Sequence, residues 1–528
     1  MGLPNLTVLF ICAFVSLGAL IFGMDGGYFS GILAMDNFNR TFGSLQPSGE
    51  YDISSARQSF MTSFPYVGQF LAAVFGGFIG NLIGRRWGLF LMCIASVIGV
   101  LMQIFAKNVA LLVAGRFFNY CAIGFATVFV PMYQAETAPP AFRGAMITMY
   151  QFNVVVGSFL ISIVDNFTAK IQGSASWRIP VGVLLCLPVL ILPGLSVIPE
   201  SPRWLVKKGK IENAKRALLV LQRGEESFDI DSEIRLLLHS VHHQEELNLA
   251  GGTYVDCFRG TNLRRTAIAC FIQIWQQFTG VSFIFNYGTV FFTRVGVSQP
   301  FTITIITNLV NVLGTVVSFF IVDRIGRRPL LLVGSVIMFV GHISVGICGV
   351  VSDHDSANHS AQIGVVVFTL IYVLGFASTW GPLGWVITSE ISNNMVREKT
   401  QGLGSATNIL FSWVVTFSLP YLLNDDKAGL GAKVGFIYGG LTLCGLVYVW
   451  FYVPETRGIA LEDLDEIFEQ RVPTRKFSSY QRQAAPGLAG TLADATVKTG
   501  EVPAGEQTPT WELKNEVMHL QHFHDLKG

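Results

Sequence analysis

Charged residues are scarce in this chain. Asp, Glu, Lys and Arg together make up 13% of its 528 residues, whereas apolar residues make up 51%. Soluble globular domains carry about 25% charged residues, so the composition excludes an ordinary soluble protein. The formal net charge of +1 also provides no basic excess that would attract nucleic acid, and no nucleic-acid partner is expected.

The sequence also has few features that would indicate disulfides, bound metal or catalysis. Its eight cysteines show no paired spacing, and all except Cys257 lie in apolar stretches. His239, His242 and His243 fall in a polar loop, where exposure to solvent is a simpler interpretation than metal binding. Neither a Walker-type phosphate loop nor a nucleophile with an adjacent base occurs. We therefore predict neither an enzyme nor an ATP-driven pump, and no cofactor or metal.

Long apolar runs, in contrast, occur along most of the chain. About 20 apolar residues suffice for a helix to cross a bilayer. We count twelve such stretches, at 8–31, 59–82, 88–106, 109–131, 146–167, 179–198, 267–293, 302–323, 329–349, 361–387, 402–423 and 433–453. The first lacks a basic flank and a cleavage site, which predicts a retained span. The expected fold class is an all-α membrane protein with twelve transmembrane helices.

The distribution of Lys and Arg predicts the orientation in the membrane. These residues are more frequent in the loops on the side of residues 199–266 than in the opposite loops, and they favour the cytoplasmic side. Both termini are therefore expected in the cytoplasm. Glycosylation sequons at Asn39, Asn166 and Asn358 fall in loops assigned to the outside, in agreement with a glycoprotein of the plasma membrane.

Short motifs of the first half recur in the second half in the same order. NLIGRRW at 81–87 matches DRIGRRP at 323–329, and PESPR at 199–203 matches PETRG at 454–458. Such duplication predicts two six-helix halves that rock around a central site, as in transporters. The predicted division is an N-terminal half at 1–198, a cytoplasmic linker with short helices at 199–266, a C-terminal half at 267–453, and a tail, first helical and then disordered, at 454–528.

These motifs, with QQFTG at 276–280 and STWGP at 378–382, carry a family resemblance. The chain resembles the sugar porter family of the major facilitator superfamily, most of all the fungal hexose transporters. The resemblance implies the major facilitator fold and the movement of a monosaccharide by alternating access, by a carrier that works as a monomer.

Amide and hydroxyl side chains lie on one face of several spans, where they could bind the hydroxyl groups of a sugar. The same pattern also arises from amides that only hold helices together. In the family resembled, amides hold the sugar above an aromatic ring, which here implies Gln151, Gln276, Gln277, Asn311 and Trp385.

Three further positions bear on the substrate. Ser282 stands where sugar porters usually have Asn, and Asn286 replaces an aromatic residue of the outer gate, whereas Asn408 is retained. Loss of an amide changes discrimination between substrates strongly. A hexose is expected, with a pentose, a disaccharide or a sugar-derived acid such as quinate or galacturonate as alternatives.

Charged residues at the predicted inner helix ends form a second set. The arginines alone follow from the orientation, but the matched acids do not. In the family, such residues form an inner network that is intact when the carrier faces outward and breaks when it opens inward. The predicted inner gate comprises Arg85, Arg86, Glu136, Arg143, Glu200, Arg327, Arg328, Glu390, Arg397 and Glu455.

Asp25 is a carboxylate inside the first span. Ionisable groups within the membrane are costly and normally paired, and Arg116 of the fourth span lies at about the same depth. We predict an Asp25–Arg116 pair that faces the cavity. In proton-coupled sugar porters the matching residues act as the proton switch, so proton symport is expected; a uniporter and a sugar sensor that transports nothing are alternatives.

Overall fold

The computed structural model describes residues 6–45, 49, 51–138, 143–222, 230–249, 253–354, 359–393, 395–459 and 461–477. The sequon at Asn358 and the predicted disordered part of the tail beyond residue 477 lie outside these residues. Apart from one short hairpin, the described chain consists of helices and their connections.

The N-terminal half contains nine helices and a two-stranded hairpin. They are α1 (Leu6–Leu33), α2 (Asp36–Phe42), β1 (Ser44–Leu45), β2 (Tyr51–Asp52), α3 (Ser55–Ser63), α4 (Pro65–Ile83), α5 (Arg85–Ile104), α6 (Val109–Thr137), α7 (Arg143–Thr168), α8 (Ala175–Val183) and α9 (Cys186–Gly194). The strands pair antiparallel, with Ser44 opposite Asp52.

The linker and the C-terminal half follow. The linker forms α10 (Pro202–Lys207), α11 (Ile211–Leu221) and α12 (Ile230–Leu249), as the sequence predicted. The C-terminal half contains α13 (Gly260–Phe278), α14 (Val281–Arg294), α15 (Pro300–Ile325), α16 (Arg327–His354), α17 (His359–Gly375), α18 (Gly381–Ile391), α19 (Arg397–Leu423) and α20 (Val434–Tyr452), with α21 (Leu461–Glu469) after it.

Eleven segments of the described chain are long and apolar enough to cross a membrane, several of them as two consecutive helices. The predicted fifth span corresponds to α7, which has 26 residues and carries more polar side chains, among them Gln151 and Asp165. The predicted all-α membrane fold is therefore confirmed, and the spans begin and end within a few residues of their predicted limits.

Specific residues end the helices and bend the spans. Gly84 and Gly326 adopt positive φ angles of 102° and 109° between α4 and α5 and between α15 and α16. Gly280, with φ 87°, separates α13 from α14 inside one span. A residue with a Cβ adopts this left-handed backbone only at a cost, so glycine suits these turns. A π-helical turn, Phe376–Trp380, joins α17 to α18.

Glycines also bring α1 and α7 into backbone contact. Gly23, Gly27 and Gly31 recur at intervals of four residues and form a stripe along α1. A Cβ at Gly23 would lie 1.9 Å from the Val154 carbonyl oxygen, and one at Gly157 would lie 2.6 Å from the Leu20 oxygen. Such small-residue stripes allow helices to pack closely where lipid surrounds them.

The two ends of the bundle differ, and we name them by what they carry. The end with α10–α12 is called the linker end, and the opposite end, with α2 and the β1–β2 strands, is called the hairpin end.

Candidate functional site

Polar side chains of α13, α18 and α19 form a connected network inside the C-terminal half. The Gln276 amide nitrogen donates to the carbonyl oxygens of Trp380 (2.9 Å) and Gly381 (3.0 Å), beside the π-helical turn. Asn408 Nδ2 donates to the side-chain oxygens of Gln273 (2.8 Å) and Gln276 (2.9 Å). The hydrogen-bonding groups of Gln276 are thus occupied within the protein in this state, and its amide joins α13 to the π-helical turn.

Other predicted amides are free. Gln151 and Asn311 make no side-chain hydrogen bond to the described residues, and the amide atoms of each keep some exposure to solvent. Gln277 accepts a bond from the Ser282 hydroxyl (3.1 Å), while its amide nitrogen stays available. The Trp385 side chain is 41% exposed. Gln151, Gln277 and Asn311 therefore keep amide atoms that no described residue bonds, although Gln277 and Asn311 are only 6% and 7% exposed.

Ser282 and Asn286, two further predicted binding residues, are hydrogen-bonded to other parts of the protein in this state. Ser282 is buried and bonded to both Gln277 and Ser412. Asn286 Nδ2 donates to the hydroxyls of Tyr66 (3.0 Å) and Thr416 (3.1 Å), which saturates its two N–H groups. Because Tyr66 belongs to the other half, the bond from Asn286 links the two halves.

The halves are bonded to each other at the hairpin end. In the part of the chain that the structure describes, every hydrogen bond between the halves lies at this end. The bonded pairs are Ser30 with Thr289, Ser55 with Asp426 and Pro420, Gln58 with Asn424, Ser59 with Phe417, Thr62 with Tyr287, and Tyr66 with Asn286. An Asp52–Arg294 ion pair at 3.6 Å adds to them. Just inside this closure, a cavity of about 10 Å³, enough for one water, touches Arg116 and Asn286. The passage is closed at the hairpin end.

Charged clusters at the linker end repeat in both halves. Arg85 donates to Glu136 through Nε (2.9 Å) and Nη2 (2.8 Å), a bidentate pair. Arg327 Nη2 donates to Glu390 at 2.8 Å in the same way. Glu200 accepts from the backbone N–H groups of Arg85 (2.8 Å) and Arg86 (3.1 Å) at the start of α5.

Glu455 repeats the helix-capping role of Glu200 at the start of α16. It accepts from the backbone N–H groups of Arg327 and Arg328, both at 3.0 Å. A carboxylate at a helix N-terminus is stabilised by free N–H groups and by the helix dipole. Burial raises the pKa of the Glu200 carboxyl, and the hydrogen bonds that it accepts from backbone N–H groups oppose this shift.

The predicted inner network is therefore two clusters, one in each half. No hydrogen bond or ion pair between the halves is found at the linker end within the described residues. Arg397 Nε is buried without a partner, and the Arg143 side chain lies outside the description. Among the described side chains, the halves are bonded to each other at the hairpin end and not at the linker end, which fits one of the two states that alternating access requires.

The predicted Asp25–Arg116 ion pair is absent from this conformation. Asp25 accepts one hydrogen bond, from Asn119 at 3.3 Å, and its Oδ2 has no partner. Arg116 instead donates to the Tyr28 hydroxyl at 2.9 Å and lies 3.4 Å from the centre of the Phe29 ring. Aromatic rings stabilise a desolvated guanidinium, which is why the arginine does not need the carboxylate here.

Comparisons with known proteins agree with this geometry. A family model described as Sugar (and other) transporter matches residues 11–468. The chain belongs to this transporter family. It is 36% identical over 516 residues to the major facilitator-type transporter ecdD of Aspergillus rugulosus, covering 94% of each chain. It is also 35% identical to the probable glucose transporter rco-3 of Neurospora crassa, over 87% of this chain and 78% of the relative.

Solved structures give the same fold for the transporter. The inward open conformation of the xylose transporter XylE from E. coli has a TM-score of 0.72 and 25% identity, covering 87% of this chain and 99% of that one. The proton:xylose symporter XylE bound to 6-bromo-6-deoxy-D-glucose has a TM-score of 0.67 and 26% identity, over 88% and 99%. The predicted major facilitator fold is confirmed, and the protein is a membrane transporter rather than an enzyme.

The structure places His342 of α16 at the break between α13 and α14, a position that the sequence did not indicate. The break at Gly280 frees the Thr279 carbonyl from its helix, and His342 Nε2 lies 2.8 Å from that oxygen. A carbonyl only accepts, so Nε2 carries the proton and donates. The ring is 1% exposed and packs 4.2 Å from Tyr372. A lone His in an apolar span was the available signal, but only the fold places it at the break.

His342→Phe is expected to slow transport several-fold, because α14 carries the hairpin-end closure and its hinge would lose a fixed contact. The carbonyl left unsatisfied costs about 1–3 kcal/mol. His342→Gln, which keeps a donor, should retain most of the rate. Initial uptake and the thermal unfolding midpoint of both variants check this, and equal rates for Phe and Gln would rule out the hinge bond.

Proposed function

We propose that this transporter carries a monosaccharide, a hexose in the first place, across the plasma membrane by alternating access and in symport with protons. The observation that carries the proposal is the bonded closure between the halves at the hairpin end, with no hydrogen bond or ion pair between them at the linker end among the described residues.

The lining supports a neutral, hydroxyl-rich substrate. Gln151, Gln277 and Asn311 provide both donors and acceptors, as a sugar hydroxyl requires. In the family resembled, an aromatic ring lies beneath the sugar, and Trp385 is the matching residue. Gln276, Asn408 and Ser282 keep these groups in position, and Asn286 seals the hairpin end. A glucose transporter among the relatives supports a hexose over the other sugars.

A sugar-derived acid needs a cationic partner in the passage. Arg116 is the predicted candidate, but its guanidinium is engaged by Tyr28 and by the Phe29 ring. This engagement disfavours the acid as the substrate.

Proton coupling is supported by Asp25 and Arg116. The Asp25 side chain is 1% exposed and has a single donor, Asn119, in this state. An unpaired charge at this depth is costly, so the carboxyl is expected to hold a proton while Arg116 stays with Tyr28. Release of that proton through the open linker end would leave an ionised Asp25, which a direct contact with Arg116 would stabilise. The next proton would then bind from the outside once the hairpin end opens. The related proton:xylose symporter XylE supports this coupling.

The inner gate is proposed to act through the two clusters at the linker end. In the opposite state, Arg143 and Arg397 would join the cluster of one half to that of the other and close that end. The linker end is assigned to the cytoplasm, together with both termini, on the Lys and Arg distribution. The proposed carrier works as a monomer, and its two halves comprise residues 1–198 and 267–453.

The test is uptake of labelled glucose at acid external pH in cells that lack their own hexose carriers, with and without an uncoupler. The transporter should accumulate glucose inside the cells. Both the uncoupler and Asp25→Asn should reduce this accumulation by about tenfold or more, until the internal and external glucose concentrations are equal. Asp36→Asn makes the same substitution at an exposed position of α2 and should leave accumulation unchanged.

Each other outcome overturns a stated part of the proposal. Uptake that ignores both the uncoupler and Asp25→Asn indicates a uniporter. Inhibition of labelled uptake by quinate or galacturonate but not by unlabelled hexose indicates an acid porter. Correctly located protein that takes up no hexose, pentose or acid indicates a sensor.

A further inference from the structure

A second buried carboxyl group, Asp165, lies near the end of α7 at the hairpin end. It is 3% exposed, and its Oδ1 has no hydrogen-bond partner among the described residues. A Cβ at Gly31 would lie 2.2 Å from its Oδ2, so the carboxyl packs directly against the backbone of α1. Glycine at position 31 leaves room for this carboxyl. Asp165 belongs to none of the motifs described above and takes no part in the proposed proton coupling.

No described Lys, Arg or His side chain forms an ion pair with Asp165. The charged and titratable side chains on the neighbouring parts of the chain are Asp25 and Tyr28 of α1, Arg116 and Tyr120 of α6, Arg178 of α8, and Lys170 beyond α7. Arg116 and Tyr28 are bonded to each other, and Arg178 lies 5.0 Å from the Trp177 ring. The charged residues of α15, Asp323 and Arg324, lie at the linker end. An ionised carboxylate in this niche would therefore be uncompensated.

The same short segment of α1 takes part in the closure between the halves. Ser30, next to Gly31, donates to Thr289 Oγ1 at 3.4 Å and accepts from the Thr289 backbone N–H at 3.2 Å. Because the Asp165 carboxyl packs against Gly31, the packing of α1 on α7 sets the position of the neighbouring Ser30. A change at Asp165 is thereby transmitted to the closure.

We propose that Asp165 is a second proton-binding site, distinct from Asp25, which binds a proton when the hairpin end closes and releases it when that end opens. The neutral carboxyl fits the glycine-lined niche. The ionised carboxylate requires water or a donor, so α1 separates from α7 at this end and withdraws Ser30 from Thr289. External protons then favour the closed state. The inference rests on the proposed function only for assigning the hairpin end to the outside.

The experiment reads the closure directly, without substrate. Ser59→Cys places a thiol in the closure, where Ser59 donates to the Phe417 carbonyl across the halves at 2.6 Å. Its labelling by a membrane-impermeant thiol reagent is measured over a range of external pH in intact cells. Each rate is divided by that of Ser44→Cys, an exposed position of β1, to remove the intrinsic pH dependence of thiol reactivity. The chain without a reporter gives the background of its own cysteines.

With Asp165 intact, the normalised labelling should rise several-fold from acid to alkaline medium. Asp165→Asn and Asp165→Ala, both unable to ionise, should give low labelling that no longer depends on pH. Ser162→Ala, on the same face of α7, should retain the response. A response that persists in both Asp165 variants, or is missing from the parent chain, overturns the proposal.

The failure of this site is distinguishable from the failure of the proposed symport. Asp25→Asn should abolish accumulation of sugar but keep the pH response of the Ser59→Cys reporter. Accumulation that survives Asp25→Asn refutes coupling through Asp25 and leaves the reporter result for Asp165 intact. A response lost in Asp25→Asn and kept in Asp165→Asn assigns the proton to Asp25 alone and refutes the second site.

Discussion

Replacing Gly23 with Val is expected to abolish the folded transporter. The new Cβ would lie 1.9 Å from the Val154 carbonyl oxygen and 3.0 Å from the Gly157 Cα, both of them backbone atoms of α7. A side chain could rotate away from such a clash, but a helix backbone must move as a whole. Overpacking in a core costs typically about 1–3 kcal/mol, and we expect this contact to reach or exceed the upper figure.

The measurement is the thermal unfolding midpoint of the purified protein, with uptake as a second readout. Gly26→Ala is the matched control on the same helix, because a Cβ at Gly26 meets no atom within 4 Å. It should leave the midpoint unchanged or raise it slightly, since alanine favours a helix. A Gly23→Val protein as stable as the parent would mean that α1 and α7 are not packed as described.

Replacing Glu136 with Gln is expected to cause the second large loss. The side chains of Arg85 and Glu136 are 7% and 11% exposed, and their bidentate bond compensates two buried charges. Removing one partner of such a pair typically costs about 3–5 kcal/mol, because the other charge stays buried. The loss should appear in the unfolding midpoint and in uptake. The double variant Arg85→Met, Glu136→Met should be more stable than Glu136→Gln.

The second half of the chain supplies a matched control for this prediction. Arg327 keeps a second carboxylate, Asp323, at 3.0 Å, whereas the equivalent contact of Arg85 is the neutral Asn81 at 3.4 Å. Glu390→Gln should therefore be less damaging than Glu136→Gln. Equal losses in both halves, or a double variant no better than the single one, would contradict the buried-charge explanation.

The fold was predictable because it depends on features that are local in the sequence. A span requires only a sufficient run of apolar residues, and the run at 88–106 is enough to place α5. The repeated GRR and acidic motifs located the two clusters at the linker end for the same reason. The predicted helices of the linker and of the LEDLDEIFEQ segment are also present, as α11, α12 and α21.

The candidate site was predictable only in part. Asn311, one of the predicted binding amides, is buried in α15. Which amides are free was not predictable, because Gln276 is saturated by carbonyls that a distant π-helical turn exposes. Arg116 likewise contacts Tyr28 and Phe29 rather than Asp25, a choice among buried partners that depth along the membrane cannot resolve.

The sequence by itself determined that this protein is an all-α membrane transporter with repeated motifs, since hydropathy, spacing and repeats are properties of the chain alone. The tertiary structure alone decided which end is closed, which amides stay open, and which carboxyl groups are left without a cation. These depend on contacts between helices far apart in sequence, where a difference of an ångström separates a hydrogen bond from an unpaired group.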